Sequence, residues 1–303
     1  MRVLITGGAG YIGTELTYTL NQNPLISEIV IYDNLSRPNR NLFIGLQPLS
    51  EKVKFIHGDL LDSRKLKKAL IDIDVVYHLA AKVSTPFSDQ RSHEFEQVNN
   101  WGTAELVYAI EESSVKKLFY LSSVSVYGAS EEMVTKDTIP NPQTFYGITK
   151  LRGEAHVNRI SNKIETSIVR CGNVYGYSKS MRFDAVINKF MFDSNFSSKI
   201  SIHGDGKQYR SFIHIDKVTE VLSNLIQDSS NLGVKNLTEH NLSVVEIVDP
   251  LKEIYPELEM VFVNQHLKLK EIRVTPDEKF NQLITLNKSF KEELIDFKSR
   301  FTF

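Results

Sequence analysis

Thr6-Gly7-Gly8-Ala9-Gly10-Tyr11-Ile12-Gly13 directly follows a short apolar run, Val3–Ile5, and opens a segment with helical spacing. Gly7, Gly10 and Gly13 recur at every third position. Lacking Cβ atoms, they permit a tight turn, close backbone approach to a pyrophosphate and close packing of helix on strand. The helix that begins here offers free N–H groups and the positive end of its dipole to phosphate. Asp33 lies 20 residues beyond Gly13, at the end of the next apolar run. A carboxylate at that place accepts hydrogen bonds from an adenosine ribose and repels a 2′-phosphate, which favours NAD over NADP. Arg37 is close enough in sequence to oppose that preference. A glycine motif alone can be a plain turn, but strand, turn, helix and acid in this order predict dinucleotide binding.

Outward from this loop, β-branched runs alternate with helical segments. Val3–Thr6, Glu28–Tyr32, Val53–His57, Val75–Leu79, Lys117–Leu121 and Ile164–Arg170 read as strands. Most are continuously apolar, as parallel strands covered on both faces are. Tyr11–Asn21, Ser63–Ile71, Ser92–Ser113 and Phe145–Ile160 read as helices. This β-α-β alternation predicts an α/β fold with a doubly wound parallel sheet. After Arg170 the alternation loosens and Gly, Ser, Asn and Asp become common. We expect residues 1–170 to form the dinucleotide-binding domain and 171–303 a smaller substrate-binding lobe, with returns to the first domain.

Composition narrows the function. Among 303 residues, 36 Lys and Arg face 37 Asp and Glu, a net charge of −1. No basic excess exists to hold a nucleic-acid backbone. The lone Cys171 rules out an intrachain disulfide and a multi-cysteine zinc site, and the eight histidines show no ligand spacing. No metal is expected. No stretch has the length of a signal peptide's apolar region or a membrane span, so a soluble, cytoplasmic protein is expected.

Two further segments carry chemistry. Tyr146 and Lys150 stand four residues apart at a predicted helix start, hence on one face. A tyrosine titrates near 10 and is a poor base until a neighbouring cation favours its phenolate. Lowering it by about three units requires about 4 kcal/mol, within reach of an ammonium and an oxidised nicotinamide in a closed cleft. Leu121-Ser122-Ser123-Val124-Ser125-Val126-Tyr127-Gly128 ends a predicted strand, the edge at which open α/β sheets bind ligands. A serine there can hydrogen-bond a reacting oxygen.

Together with Tyr32-Asp33-Asn34, Gly58-Asp59-Leu60, His78-Leu79-Ala80-Ala81, Asn99-Asn100-Trp101-Gly102-Thr103, Arg170-Cys171-Gly172-Asn173-Val174-Tyr175-Gly176, Gly204-Asp205-Gly206 and Arg210-Ser211-Phe212-Ile213-His214, these segments resemble the extended short-chain dehydrogenase/reductases. The branch resembled is the NAD-dependent nucleotide-sugar epimerase/dehydratase family, and the resemblance spans nearly the whole chain. It implies a Rossmann-type fold, a nucleotide-diphosphate sugar as substrate and a homodimer. It implies Ser123, Tyr146 and Lys150 as the catalytic triad. The cofactor would be held by Gly7, Gly10, Tyr11, Ile12, Gly13, Asp33, Asn34, Asp59, Leu60, Leu79, Ala80, Ala81, Lys82, Asn99, Tyr146 and Lys150. Ser123, Tyr146, Asn173 and Arg210 would meet the sugar nucleotide, with Ser84, Arg182 and Arg273 as additional contacts. For Arg273, the resemblance competes with an ordinary surface ion pair.

The dehydratases in this branch place Asp and Glu directly after the catalytic Ser or Thr. Val124 and Ser125 stand there and supply no carboxyl group for water elimination. The remaining resemblance is to UDP-galactose and UDP-glucuronate 4-epimerases, which oxidise a sugar at C4 and return hydride to the other face. A 4-keto-sugar reductase, a UDP-glucuronate decarboxylase and a non-catalytic dinucleotide sensor are the alternatives. The segment after Gly176 departs from the family pattern, with Tyr177 in place of its usual proline.

Overall fold

Both faces of the first strand are apolar because both are covered. The computed structural model describes residues 1–37, 40–44, 49–83, 91–227, 233–264 and 271–302. Strands β1 (Arg2–Thr6), β2 (Glu28–Asp33), β3 (Val53–His57), β4 (Val75–His78) and β5 (Lys117–Ser123) alternate with helices α1 (Tyr11–Asn21), α2 (Ser63–Ala69), α3 (Ser92–Phe95) and α4 (Gly102–Glu111). There follow β6 (Met133–Val134), α5 (Phe145–Arg159), β7 (Glu165–Cys171), β8 (Asn173–Tyr175), α6 (Val186–Ser197), β9 (Lys199–His203) and β10 (Tyr209–His214). The chain then forms α7 (Ile215–Asn224), β11 (Gly233–Leu237), β12 (His240–Ser243), α8 (Val244–Ile254), β13 (Glu259–Val263), β14 (Arg273–Val274), α9 (Glu278–Asn281) and α10 (Phe290–Ser299).

Seven strands make one sheet in the order β11-β7-β5-β4-β1-β2-β3, and every pairing in it is parallel. This is the doubly wound Rossmann-type sheet. Val3 and Ile5 of β1 pack with Leu16 and Leu20 of α1 and Val218 and Leu222 of α7. Leu4, between them, packs on the opposite face with Leu106 and Ile110 of α4 and Val157 of α5. The order reverses beside β1, so the carboxyl ends of β1 and β4 diverge into a crevice, the usual ligand edge of such sheets.

The second half crosses back into this sheet: α7 packs on α1, and β11 pairs with β7. The remainder builds a separate cluster around Phe190, Met191, Ile200, Phe212, Ile247, Leu251 and Phe297. Its strands are β8, β10 and β12 in one sheet and β9 with β13 in another, while β14 pairs with β6. No helix among the described residues is long and apolar enough to cross a membrane.

The expected continuous helix over 92–113 is interrupted. Glu96–Trp101 is wound as a π-helix, with Gly102 N–H donating to Gln97 O, five residues back. The physical reason lies in Asn99 and Thr103. Thr103 Oγ1 donates to Asn99 O (2.7 Å), while Asn99 extends its amide to the backbone of Lys82. Such local widening is common at functional sites.

Candidate active site

The carboxyl ends of the strands open into a cleft of about 1380 Å³ lined from both halves of the chain. At its cofactor end Gly7 has φ +72°, and a Cβ there would stand 2.6 Å from Ala80 Cα and N. Only glycine lets the loop approach β4 this closely. Gly10, Ile12 and Gly13 continue the lining at the start of α1, where the first N–H groups of the helix face the cleft. Asp33 Oδ2 accepts from Ala9 N (3.0 Å) and Oδ1 from Leu35 N (2.8 Å), which fixes the carboxylate beside the glycine loop. Asn34 Nδ2 donates to Asp59 Oδ2 (2.7 Å), and the Tyr32 hydroxyl donates to Asp59 O (2.7 Å). Asp59 and buried Leu60 thus stand next to Asp33, and Leu79, Ala80, Ala81 and Lys82 line the opposite wall. Arg37, the one residue opposed to an NAD preference, donates through Nη2 to Met181 O (2.9 Å). This bond draws its guanidinium toward the 177–184 segment.

The chemical end is built by α5. Pro140 and Pro142 bias the residues before them toward extended backbone, and Thr144 caps the helix, its Oγ1 accepting from Gly147 N (3.1 Å). This places Tyr146 in the first turn and Lys150 one turn on. A Cβ on Gly147 would lie 2.5 Å from Ser125 O, so glycine lets α5 press against the turn that follows β5. Ser123, the last residue of β5, pairs in register with Cys171 of β7. Ser123 Oγ accepts from Ser125 Oγ (2.8 Å) and Ser125 N (3.2 Å), which leaves its own proton free to point into the cleft.

Charges around Tyr146 differ from the sequence expectation. Burial pushes the phenol above its ordinary value near 10, while the Ser123 hydroxyl and the Arg182 guanidinium pull it down. Lys150 is not among these influences. Its Nζ lies over the Tyr120 ring, 4.1 Å from the centroid, and burial lowers its titration to about 7 against the field of Glu154. The pair is therefore assembled, but the protein's own charges do not make Tyr146 a phenolate.

Ser123, Tyr146, Lys150, Asn173, Arg182 and Arg210 all line the cleft. Asn173 Nδ2 donates to Ser211 O (3.1 Å), and Arg210 Nη1 donates to Tyr209 O (3.0 Å). Arg182 is paired with Asp184 (2.6 Å). Tyr11 lines the cleft as well, and its hydroxyl donates to Gly176 O (2.6 Å), which ties α1 to the second half. Two expected residues sit differently. Asn99 is buried and outside the lining; it accepts from Lys82 N (2.8 Å) and donates to Lys82 O (2.9 Å), thereby shaping the cofactor wall. Arg273 is drawn away from the cleft. Its Nη2 donates to Glu131 O, and its guanidinium lies 5.2 Å over the Tyr209 ring. Ser84 lies outside the described residues.

Reading from motifs missed Glu154, Asp184 and Glu271, and gave no role to Arg170 within the motif that it opens. The first sits one helical turn beyond Lys150, a spacing visible in the sequence. Asp184 and Glu271 lie in the divergent segments that carry no motif.

Residues 3–237 match the NAD dependent epimerase/dehydratase family. The chain belongs to that family. The dTDP-D-glucose 4,6-dehydratase of Mus musculus is 33% identical over 264 residues, 84% of this chain and 73% of its own length. A putative UDP-glucose 4-epimerase of Methanocaldococcus jannaschii is 29% identical, covering 82% of this chain and 81% of its own. Among solved structures, the UDP-glucuronic acid 4-epimerase of Bacillus cereus, in complex with UDP-glucuronic acid and NAD, superposes with a TM-score of 0.84 at 28% identity. That match covers 99% of this chain and 98% of that one. The family is NAD-dependent, and the cradle at Gly7 with the carboxylate at Asp33 fits a dinucleotide without a 2′-phosphate.

Proposed function

We propose that this enzyme epimerises a UDP-sugar at C4 through a transient 4-keto sugar. The observation that carries this reading is the turn after Ser123. Val124 is buried, and Ser125 spends its hydroxyl on Ser123, so neither offers the acid and base that water elimination requires. The described carboxylates that line the cleft are Asp33, Asp59, Glu94, Asp184 and Glu271. Asp33 and Asp59 lie at the adenosine end, Glu94 is paired with Lys82, Asp184 with Arg182, and Glu271 accepts from Tyr209 N (3.4 Å). The full-length match to a 4-epimerase is compatible with this choice, and the dehydratase of mouse is more alike in sequence, so the turn after Ser123 makes the distinction.

NAD, held by the glycine loop at Gly7 and by Asp33, would supply the acceptor for the C4 hydride and a positive charge beside the phenol. Once Tyr146 has lost its own proton to solvent under that charge, its phenolate takes the 4-hydroxyl proton as the hydride leaves and gives it back after the sugar has turned. Ser123 donates its proton as a hydrogen bond to the C4 oxygen throughout, steadying the developing charge. Asn173 and Arg210 hold the diphosphate, and Arg182 and the residues around it hold the sugar end. An arginine fork suits diphosphate recognition. In this reading residues 171–303, apart from their return as α7 and β11, form the substrate lobe.

Incubation with UDP-, dTDP- and GDP-sugars, with products read by NMR, tests the reading. A C4 epimer without added reductant is expected. Consumption of NADH or release of carbon dioxide would favour the reductase or the decarboxylase instead.

We also propose a homodimer. Val157 of α5 is covered by its own sheet and Leu151 is half-buried, so neither offers much apolar surface to a partner. Trp101 and Tyr108, each more than half exposed beside α5, offer more.

A further inference from the structure

Asn188 is a polar side chain on an apolar helix face, and the proposed chemistry gives it no task. It lies in the first turn of α6, fully buried beside Ile187, Phe190 and Met191. An amide in such surroundings costs free energy unless its polar atoms are hydrogen-bonded. Both are. Oδ1 accepts from Gly176 N (3.0 Å), and Nδ2 donates to the Tyr11 hydroxyl (3.3 Å) and to Arg182 O (3.1 Å). The Tyr11 hydroxyl in turn donates to Gly176 O (2.6 Å), which closes the ring of bonds. Gly176, at φ +114°, turns the chain out of β8 between these two partners. One amide therefore joins the start of α1, the end of β8 and the backbone of Arg182.

We propose that Asn188 is a positioning residue for sugar-nucleotide binding: it fixes the backbone at Arg182 and so sets where that guanidinium enters the cleft. Between β8 and α6, residues 176–185 form no helix or strand, so their course depends on side-chain ties. Ahead of Arg182 those ties come from the dinucleotide-binding half. Thr14 Oγ1 donates to Ser180 Oγ (2.7 Å), and Arg37 Nη2 donates to Met181 O (2.9 Å). At Arg182 O the tie is Asn188. Asp184 then accepts from Arg182 Nε (3.1 Å) and Nη2 (2.6 Å), which fixes the plane of the guanidinium. Arg182, Asp184 and Tyr11 line the cleft, whereas Asn188 does not. It can act on a ligand only through the residues it holds. An arginine recognises its ligand through a rigid fork, so a small shift of its backbone is felt at the bound group.

This rests on the reading that Arg182 meets the sugar nucleotide. The test is a double-mutant cycle on the NAD-loaded full chain, titrated at equilibrium with UDP-glucose and, in parallel, dTDP-glucose. R182M should bind at least about tenfold more weakly than wild type. N188S has too short a side chain to span Gly176 N and Arg182 O together. It should weaken binding about five- to tenfold while NAD affinity stays within about twofold. In the R182M background N188S should cost less than about twofold, because the group it positions is gone. Should N188S not fold, N188D completes the same cycle, since a carboxylate still accepts from Gly176 N but cannot donate to Arg182 O. An equal loss in both backgrounds, an unchanged affinity in N188S, or a parallel loss of NAD affinity would overturn the proposal and leave Asn188 a structural residue. If R182M itself binds like wild type, Arg182 does not meet the sugar nucleotide, and that reading fails together with this one. Binding weakened by R182M but untouched by N188S strikes the role of Asn188 alone.

Discussion

Single residues divide into those a motif announces and those only the fold assembles. Tyr146, Lys150 and Ser123 were legible because their spacing and their place at strand and helix ends are sequence properties, and the cleft does bring them together. The direction of the Tyr146 shift was not legible. It is set by burial, which outweighs the Ser123 hydroxyl and Arg182, and burial is a property of the fold. Tyr146→Phe keeps the ring and deletes the proton carrier. Turnover should fall by roughly 100-fold or more while NAD affinity stays within a few-fold, since general acid–base groups contribute on that scale. Stopped or steady-state kinetics beside a cofactor titration check both; near-normal turnover would remove Tyr146 from the mechanism. Asp33 gives a second prediction. Its fixed carboxylate beside the glycine loop should make NADP bind at least tenfold more weakly than NAD, and Asp33→Ser should narrow that gap. Equal affinities in wild type would show that Arg37 is free of Met181 O in solution.

The elements followed their sequence patterns closely wherever the pattern was periodic. Tyr11–Asn21 forms over the expected residues, and the strands differ from expectation by at most two residues at an end. The π-helix was not readable, because it arises from a contact between distant segments: Asn99 gripping the Lys82 backbone. Helix α5 offers a test in which propensity and packing disagree. Alanine in place of a helical glycine ordinarily stabilises by up to about 1 kcal/mol. At Gly147 the added methyl would meet the Ser125 carbonyl at 2.5 Å, and neither partner can swing away. Gly147→Ala should therefore destabilise, by about 1–3 kcal/mol for overpacking, and lower turnover by moving Tyr146 off Ser123. Chemical denaturation decides the sign. A stabilised variant would mean that α5 sits farther from the turn than described.

At the scale of the molecule, the parallel sheet could be read from alternation, but the second half could not. Its strands β8, β10 and β12 join across 70 residues of sequence, and α7 with β11 return to the first sheet without a motif to announce them. Stability across the whole chain should depend on acid through His78. Its Nδ1 lies 2.7 Å from Thr6 Oγ1 and its Nε2 2.9 Å from Thr103 Oγ1. Thr103 already donates to Asn99 O, so the ring is the neutral tautomer with its proton on Nε2. Burial lowers His78 to about 3 from an ordinary 6.5. Below 6.5 the unfolded chain takes up the proton and the folded chain does not, so stability falls with pH until about 3. The loss due to His78 is about 2 kcal/mol at pH 5. His78→Gln should be less stable than wild type at pH 7 and close part of that gap at pH 5. A gap independent of pH would mean that the ring is protonated in the fold. Light scattering at micromolar concentration should find a dimer. A monomer would mean that Trp101 and Tyr108 serve another purpose.

In the proposed cycle, hydride leaves one carbon and returns to the same carbon. A UDP-sugar carrying deuterium at C4, incubated with the enzyme in ordinary water and followed by NMR, tests it most directly. The expected product is inverted at C4 and retains its deuterium there, with no net NADH and no solvent hydrogen elsewhere on the ring. Loss of the label from C4, or its appearance at C6 with loss of water, would contradict it.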